Sequence, residues 1–294
     1  MVYQLGGAST LRSVAFTDEH SGWIVGPDGA IVHTTDGGGS FESQNSGTSE
    51  DLVSVSFSDA GHGWAVGKKN TVLRTTDGGT SWMPVHIDDD SSQTIWSVKF
   101  VSPTTGWLLS NSGKLYGTRD AGETWNLQLT WQSGGAGLMS FVDSDVGFVR
   151  PGIGDFWYRT SDGGDSWSAL SMYSNMRWER DLFFVDWLHG WLCNDRLASS
   201  VANDSASVFR TTDGGESWWL THRFPELFCN KVYFVDEENG WVASKDIYYT
   251  PDAGDTWVRQ TDGGDRIFID LQFVGRSVGY ALDFSGALFR FQPE

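Results

Sequence analysis

Leu52-Val-Ser-Val-Ser-Phe57, then Gly63-Trp-Ala-Val-Gly67, then Leu73-Arg-Thr-Thr-Asp-Gly-Gly-Thr-Ser-Trp82 is the stretch on which the fold is decided. Its first segment alternates with a period of two and ends on an aromatic, which marks a half-buried strand. The Gly-Trp pair opens a second strand after a tight turn. The Thr-Thr-Asp-Gly-Gly phrase marks a second turn. An Asp beside glycines folds its carboxylate onto nearby backbone N–H groups while glycine supplies the φ > 0 position. The closing Trp anchors the following strand by burial.

Both signatures recur along the chain. The turn phrase occurs six times, with its aspartates at Asp36, Asp77, Asp120, Asp162, Asp213 and Asp252, separated by 41, 43, 42, 51 and 39 residues. That period fits four short strands per unit. The Phe-x5-Gly-aromatic signature occurs seven times, beginning at Phe16, Phe57, Phe100, Phe141, Phe184, Phe234 and Phe273. The extra copy is explained at the chain ends. After Gly279-Tyr280 the sequence runs to Leu288-Phe-Arg-Phe291 and stops where a seventh phrase would begin, while Tyr3 to Phe16 resembles the stretch from Phe41 to Phe57. The expectation is an all-β chain, 1-294, forming a single seven-bladed β-propeller of four-stranded antiparallel blades. Residues 2-5 pair with 287-292 to complete the last blade (about 267-294) and close the ring.

Composition agrees with many short strands: Gly is high at 36, Pro low at 7, and aromatic residues reach 14%, with 16 Trp. The formal charge is −18, from 38 acidic and 20 basic residues without a Lys/Arg run. Nucleic acid and anionic membranes are excluded as partners, since affinity for both comes from clustered cations. No apolar run is long enough to insert into a bilayer, and no signal peptide follows Met1. Two compartments fit, the cytoplasm or, with a leader absent from this chain, an extracytoplasmic (periplasmic or secreted) one. The latter is favoured. Only Cys193 and Cys229 are present, giving neither a disulfide framework nor zinc spacing and leaving their pairing open. Abundant Asp reads as a property of the repeat rather than adaptation to salt.

The combined pattern Leu52-x-Ser-Val-x-Phe57, Gly63-Trp-Ala-Val-Gly67 and Leu73 to Trp82 resembles the photosystem II assembly and stability factor family. That family lies within the wider Asp-box (BNR-type) propellers, which include sialidases, sortilin ectodomains and xyloglucan-cleaving endoglucanases. The resemblance spans the chain and implies the propeller fold. For the photosynthetic members it implies an assembly chaperone whose arginine-rich patch docks a nascent reaction-centre subunit. In this sequence the arginines are dispersed over several blades. The sialidase Phe-Arg-Ile/Leu-Pro sequence is absent, since Phe209-Arg210 and Phe289-Arg290 are followed by Thr and Phe.

The six phrase aspartates are therefore read as structural, one carboxylate per turn being far short of the ~6 to 8 oxygens calcium takes. Neither metal nor cofactor is expected. Loops leading into each innermost strand, and those joining second and third strands, form the variable face where a ligand would sit. There Arg177, Trp178, Glu179 and Arg180 form the densest polar cluster, suited to clamping a carboxylate or a peptide. Trp131 offers a stacking face and Lys231 a cation. Trp96 replaces Val53 of the strand pattern and is read as core. Asp88 to Asp90 is an acidic loop, solvated by default. His20, His62 and His189 recur just before the Gly-aromatic pair, a structural slot. The leading reading is a non-catalytic binding or assembly scaffold, monomeric, holding a protein segment or a glycan. The alternative is a secreted polysaccharide-active hydrolase or lyase, with Asp51, Asp181 and Asp270 as carboxylates near the starts of innermost strands.

Overall fold

In the computed structural model the described residues are 2–4, 11–88, 92–131, 137–152, 156–171, 179–195, 206–224, 228–261, 264, 266–276 and 278–292. They form seven four-stranded antiparallel sheets, each a meander from an inner to an outer strand. The inner strands of blades 1 to 7 are Ser13–Phe16, Leu52–Phe57, Ile95–Phe100, Leu138–Phe141, Glu179–Phe184, Lys231–Phe234 and Phe268–Val274. In blade 7 the outer strand is Val2–Gln4, paired antiparallel with Ala287–Phe291 in the register Val2↔Phe289, Tyr3↔Leu288 and Gln4↔Ala287. The N-terminal strand thus closes the ring. No helix among the described residues is long and apolar enough to cross a membrane.

The seven Phe-x5-Gly-aromatic signatures have a single mechanical role. Each Gly-aromatic pair begins the second strand of its blade, and its ring stacks on the signature Phe of the next blade. The pairs are Trp23–Phe57, Trp64–Phe100, Trp107–Phe141, Phe148–Phe184, Trp191–Phe234, Trp241–Phe273 and, across the closure, Tyr280–Phe16, with centroids 3.3 to 3.6 Å apart. The signature glycine is required because the Phe ring lies directly over it: a Cβ at Gly63 would sit 2.3 Å from the Phe57 ring. The Trp that ends a turn phrase then packs edge-on against the Phe of its own blade, as in Phe57–Trp82 and Phe100–Trp125. Blade 7 has no phrase, and Phe291 takes that place against Phe273.

Polar bonds run the same way around the ring. Trp23 Nε1 donates to Gly78 O, Trp64 Nε1 to Ala121 O and Trp191 Nε1 to Ala253 O, each acceptor lying in the next blade's turn phrase. Tyr280 Oη donates to Glu19 O across the closure. Trp241 faces the blade without a phrase, and its buried Nε1 finds no acceptor among the described residues. Inner strands are sheet edges with unpaired N–H groups, which burial would penalise. Side chains of the preceding inner strand accept from them: Ser54 from Val98 N, Ser56 from Phe100 N, Ser140 from Phe184 N, Asp181 from Val232 N and Asp270 from Val14 N.

All six turn phrases share one bonding pattern. The leading Thr hydroxyl donates to the Asp Oδ1, at 2.8 Å for Thr34 to Asp36, and accepts from the second glycine's N–H, at 2.9 Å for Gly38. The same Oδ1 accepts the backbone N–H four residues on, at 2.8 to 2.9 Å in every copy. The aspartates therefore turn inward onto their own corners. The position after the Asp is left-handed, φ 70° at Gly37 and 63° at Ala121 and Ala253, where the sequence replaces glycine.

These bonds favour the charged carboxylates. The Ser40 N–H, the Ser40 hydroxyl and the Thr34 hydroxyl hold Asp36 down to about 2, and Asp120 lies at about 2 although its burial acts in the opposite direction. The other phrase aspartates are shifted the same way. A carboxylate with a depressed folded pKa contributes stability that is complete above its unfolded pKa, about 4, and is lost as pH falls through the folded value. The urea midpoint is accordingly expected to be flat above about pH 5 and to fall steeply between about pH 4 and pH 2. In Asp77→Asn the fall should be shallower. Equilibrium unfolding across that range checks this, and a midpoint insensitive to pH there would contradict it.

Candidate functional site

In a four-stranded meander the loops entering each inner strand and those joining the second and third strands share one end of the blades. The turn phrases lie at the other end. Charge is divided unequally between the two. The loops of the phrase-bearing end contain Arg119 and Arg276 as their only Lys or Arg residues, against nine acidic residues in the loops between first and second strands and ten in the phrases. Most cationic side chains therefore belong to strands and to the opposite end, called here the loop face.

Around the channel mouth on the loop face, four inner strands carry a β-bulge. The extra residues, skipped by the pairing registers, are Val53, Trp96, Arg180 and Ile269. A bulge re-aims the side chain it inserts. Trp96 is consequently 47% exposed, and the expectation that it belongs to the core is corrected: it matches Val53 in sequence, but both are bulge residues, while the flanking Ile95 and Val98 are buried. Phe284, at 62%, and Ile267 add exposed apolar surface in blade 7, joined by the bond from Phe284 N to Ile267 O of 2.7 Å.

The cluster expected at 177 to 180 divides. Arg177 and Trp178 lie outside the described residues. Glu179 does not face solvent: its side chain is 6% exposed and pairs at 3.4 Å with the equally buried Arg150 of blade 4. Its partner is a sheet-strand arginine from another blade, which no local pattern announces. Arg180 is exposed and pairs with Asp195. Trp131 is half-buried and packs on the blade core beside Leu109 and Leu115 rather than standing clear as a platform. Cys193 and Cys229 are free, buried thiols in one cluster, with Cys193 Sγ donating to Cys229 O.

The three candidate carboxylates are each engaged in holding blades together. Asp51 bonds Lys68 Nζ at 2.6 Å and accepts from Asp28 N at 3.2 Å, and Lys68 followed by Asp28 holds its pKa down. Asp181 and Asp270 occupy the inner-strand position that Ser54 holds in blade 2, and they make the same bond to the next strand. Lys231, in the blade between them, lies 3.4 Å from Asp181 and 3.7 Å from Asp270. Burial pushes the Asp181 carboxyl up, opposed by Lys231 and the Val232 N–H. Burial works against the Lys231 charge, but the two aspartates outweigh it and raise its pKa. The Lys231 side chain is nonetheless 35% exposed, so solvent reaches it. Lys99 is exposed to solvent, yet the protein crowded around it, followed by the Lys231 charge, pushes its pKa down.

The family described as "Photosynthesis system II assembly factor YCF48" matches residues 2–292. The chain belongs to this family. Among solved structures, a YCF48 bound to D1 peptide is 21% identical with TM-score 0.79, covering 100% of this chain and 95% of its own. YCF48 from Cyanidioschyzon merolae is 21% identical with TM-score 0.78, covering 100% and 98%. The same architecture appears in a GH74 xyloglucanase from Xanthomonas campestris at 11% identity and TM-score 0.76, over 98% of this chain and 52% of the enzyme. At these identities the structures establish the fold. No curated protein sequence matches the chain.

Within the YCF48 fold the Asp181–Lys231–Asp270 row predicts a stability effect. Lys231→Met leaves two carboxylates without their cation. Because all three side chains are partly exposed, the cost should fall below the ~3 to 5 kcal/mol of a fully buried broken pair, at about 1 to 3 kcal/mol. Replacing all three residues by Ser, which restores the pattern of Ser54, should recover most of it. Urea unfolding of both variants measures this; a triple variant as unstable as Lys231→Met would contradict the assignment.

Proposed function

We propose that this protein is a non-catalytic assembly scaffold that holds an extended protein segment on its loop face, with a D1 segment as the first partner to test. The supporting observation is the division of labour between the two ends. On the phrase-bearing end the recurring polar side chains bond their own turns, whereas the loop face presents Trp96 and Phe284 to solvent beside the channel mouth. Exposed aromatics next to a concave opening are the side chains that dominate protein recognition. Family membership and the similar structure of a YCF48 bound to D1 peptide favour a peptide over other ligands. Arg180, at the same rim, is paired with Asp195 through Nε, which leaves its terminal guanidinium N–H groups for a backbone carbonyl of the segment.

Neither a glycan nor a polysaccharide-active site has an observation in its favour here. Asp181 and Asp270 bridge blades through a shared lysine and backbone N–H groups, an arrangement that a serine reproduces elsewhere in the ring.

Fluorescence anisotropy with a labelled D1 peptide tests the reading. The double variant Trp96→Ala/Phe284→Ala should weaken binding at least about tenfold, which corresponds to ~1.4 kcal/mol. Glu123→Lys, on the opposite end, should leave affinity unchanged. Binding that survives the first variant and is lost in the second would place the segment on the wrong face, and no binding at all would remove D1 as the partner.

A further inference from the structure

The phrase-bearing end holds one group of side chains that the scaffold role does not use. Asp186 lies in the loop between the first two strands of blade 5, His189 follows it in the same loop, and Glu237 lies in the corresponding loop of blade 6. His189 Nδ1 is 2.8 Å from Asp186 Oδ2 and 3.7 Å from Glu237 Oε1, and the three ligand atoms all lie within 4.8 Å of one another. We propose that Asp186, His189 and Glu237 form an inter-blade binding site for a divalent transition metal ion such as Zn2+.

The chemistry of the donors suits such an ion. One imidazole nitrogen and two carboxylate oxygens, converging from one side, are a familiar three-ligand cap for first-row metals, with water completing the shell. Zinc lies ~2.0 to 2.2 Å from such donors. Seating it requires the Asp186 and His189 donors to open from 2.8 Å to about 3.3 Å and the exposed Glu237 to swing inward. Asp186 is fixed in advance: its Oδ1 accepts from Leu188 N and His189 N at 2.6 and 2.7 Å, which leaves Oδ2 directed at the imidazole. The end of the propeller on which the group sits carries most of the net negative charge, so cations concentrate there.

The repeat supplies its own control. In blade 2 His62 occupies the slot of His189, with Nδ1 2.9 Å from both carboxylate oxygens of Asp59. The next blade, however, has Pro103 where blade 6 has Glu237. The Asp-His pair alone is therefore an ordinary turn feature of this fold. Blade 6 adds the third ligand, and with it the bridge between two blades.

Isothermal titration of the intact, metal-stripped protein with Zn2+, paired with thermal unfolding, tests the proposal. One saturable site per chain is expected, with a rise in Tm that a chelator reverses. Glu237→Gln, an exposed change that leaves folding intact, should weaken binding at least tenfold. His189→Ala should abolish it, and His62→Ala should leave it unchanged. Absence of a saturable site, a site unaffected by Glu237→Gln, or one lost with His62 instead would each overturn the assignment. None of these outcomes depends on whether the loop face binds a peptide.

Discussion

The stacked aromatic pair between adjacent blades is the contact on which the rest of this structure depends. A four-stranded antiparallel sheet has two faces to bury and two edges to protect, and a single blade can do neither alone. Stacking the second-strand aromatic of one blade over the signature Phe of the next fixes both the distance and the rotation between neighbours. It also requires a glycine beneath the ring. Seven such pairs, from Trp23–Phe57 round to Tyr280–Phe16, bring the last blade back against the first. Aromatic pairs contribute ~0.5 to 1.5 kcal/mol each beyond the area they bury, so the ring has a cooperative source of stability that no single blade possesses.

The fixed spacing of blades has consequences for the polar residues. With neighbours in constant register, Ser, Asp or Gln on one inner strand can satisfy the N–H groups of the next, and the indole N–H of the second strand can reach the following turn phrase. The phrase aspartates hold their own corners in shape for that contact. The frame is thereby self-contained on one end. The other end is left to loops and bulges, and it is there that the proposed recognition surface lies. The acidic character of the chain resides mainly on the frame's own corners, and so says little about what the loop face binds.

The fold was legible because each of its rules is local. Period-two segments, Gly-aromatic openings and Thr-x-Asp-Gly-Gly turns are each contained in a few consecutive residues, and the mismatch between seven signatures and six phrases identified the closing strand. What escaped was set by contacts between blades. That the signature Phe and the aromatic of the preceding blade form one stack is not visible in either segment alone. Trp96 was misassigned because a bulge inserts a residue and reverses the side it faces. Glu179 was expected at the surface because its partner Arg150 comes from a different blade. Asp181 and Asp270 attracted attention as carboxylates, when their position is one that accepts a backbone N–H and can equally be serine.

The ring is closed by the Tyr280–Phe16 stack, whose two residues lie near opposite ends of the chain. A double-mutant cycle in urea unfolding, using Tyr280→Leu, Phe16→Leu and the pair, measures that contact directly. A coupling energy of about 0.5 to 1.5 kcal/mol is predicted. Strictly additive single and double variants would show that blades 7 and 1 are not joined in this way.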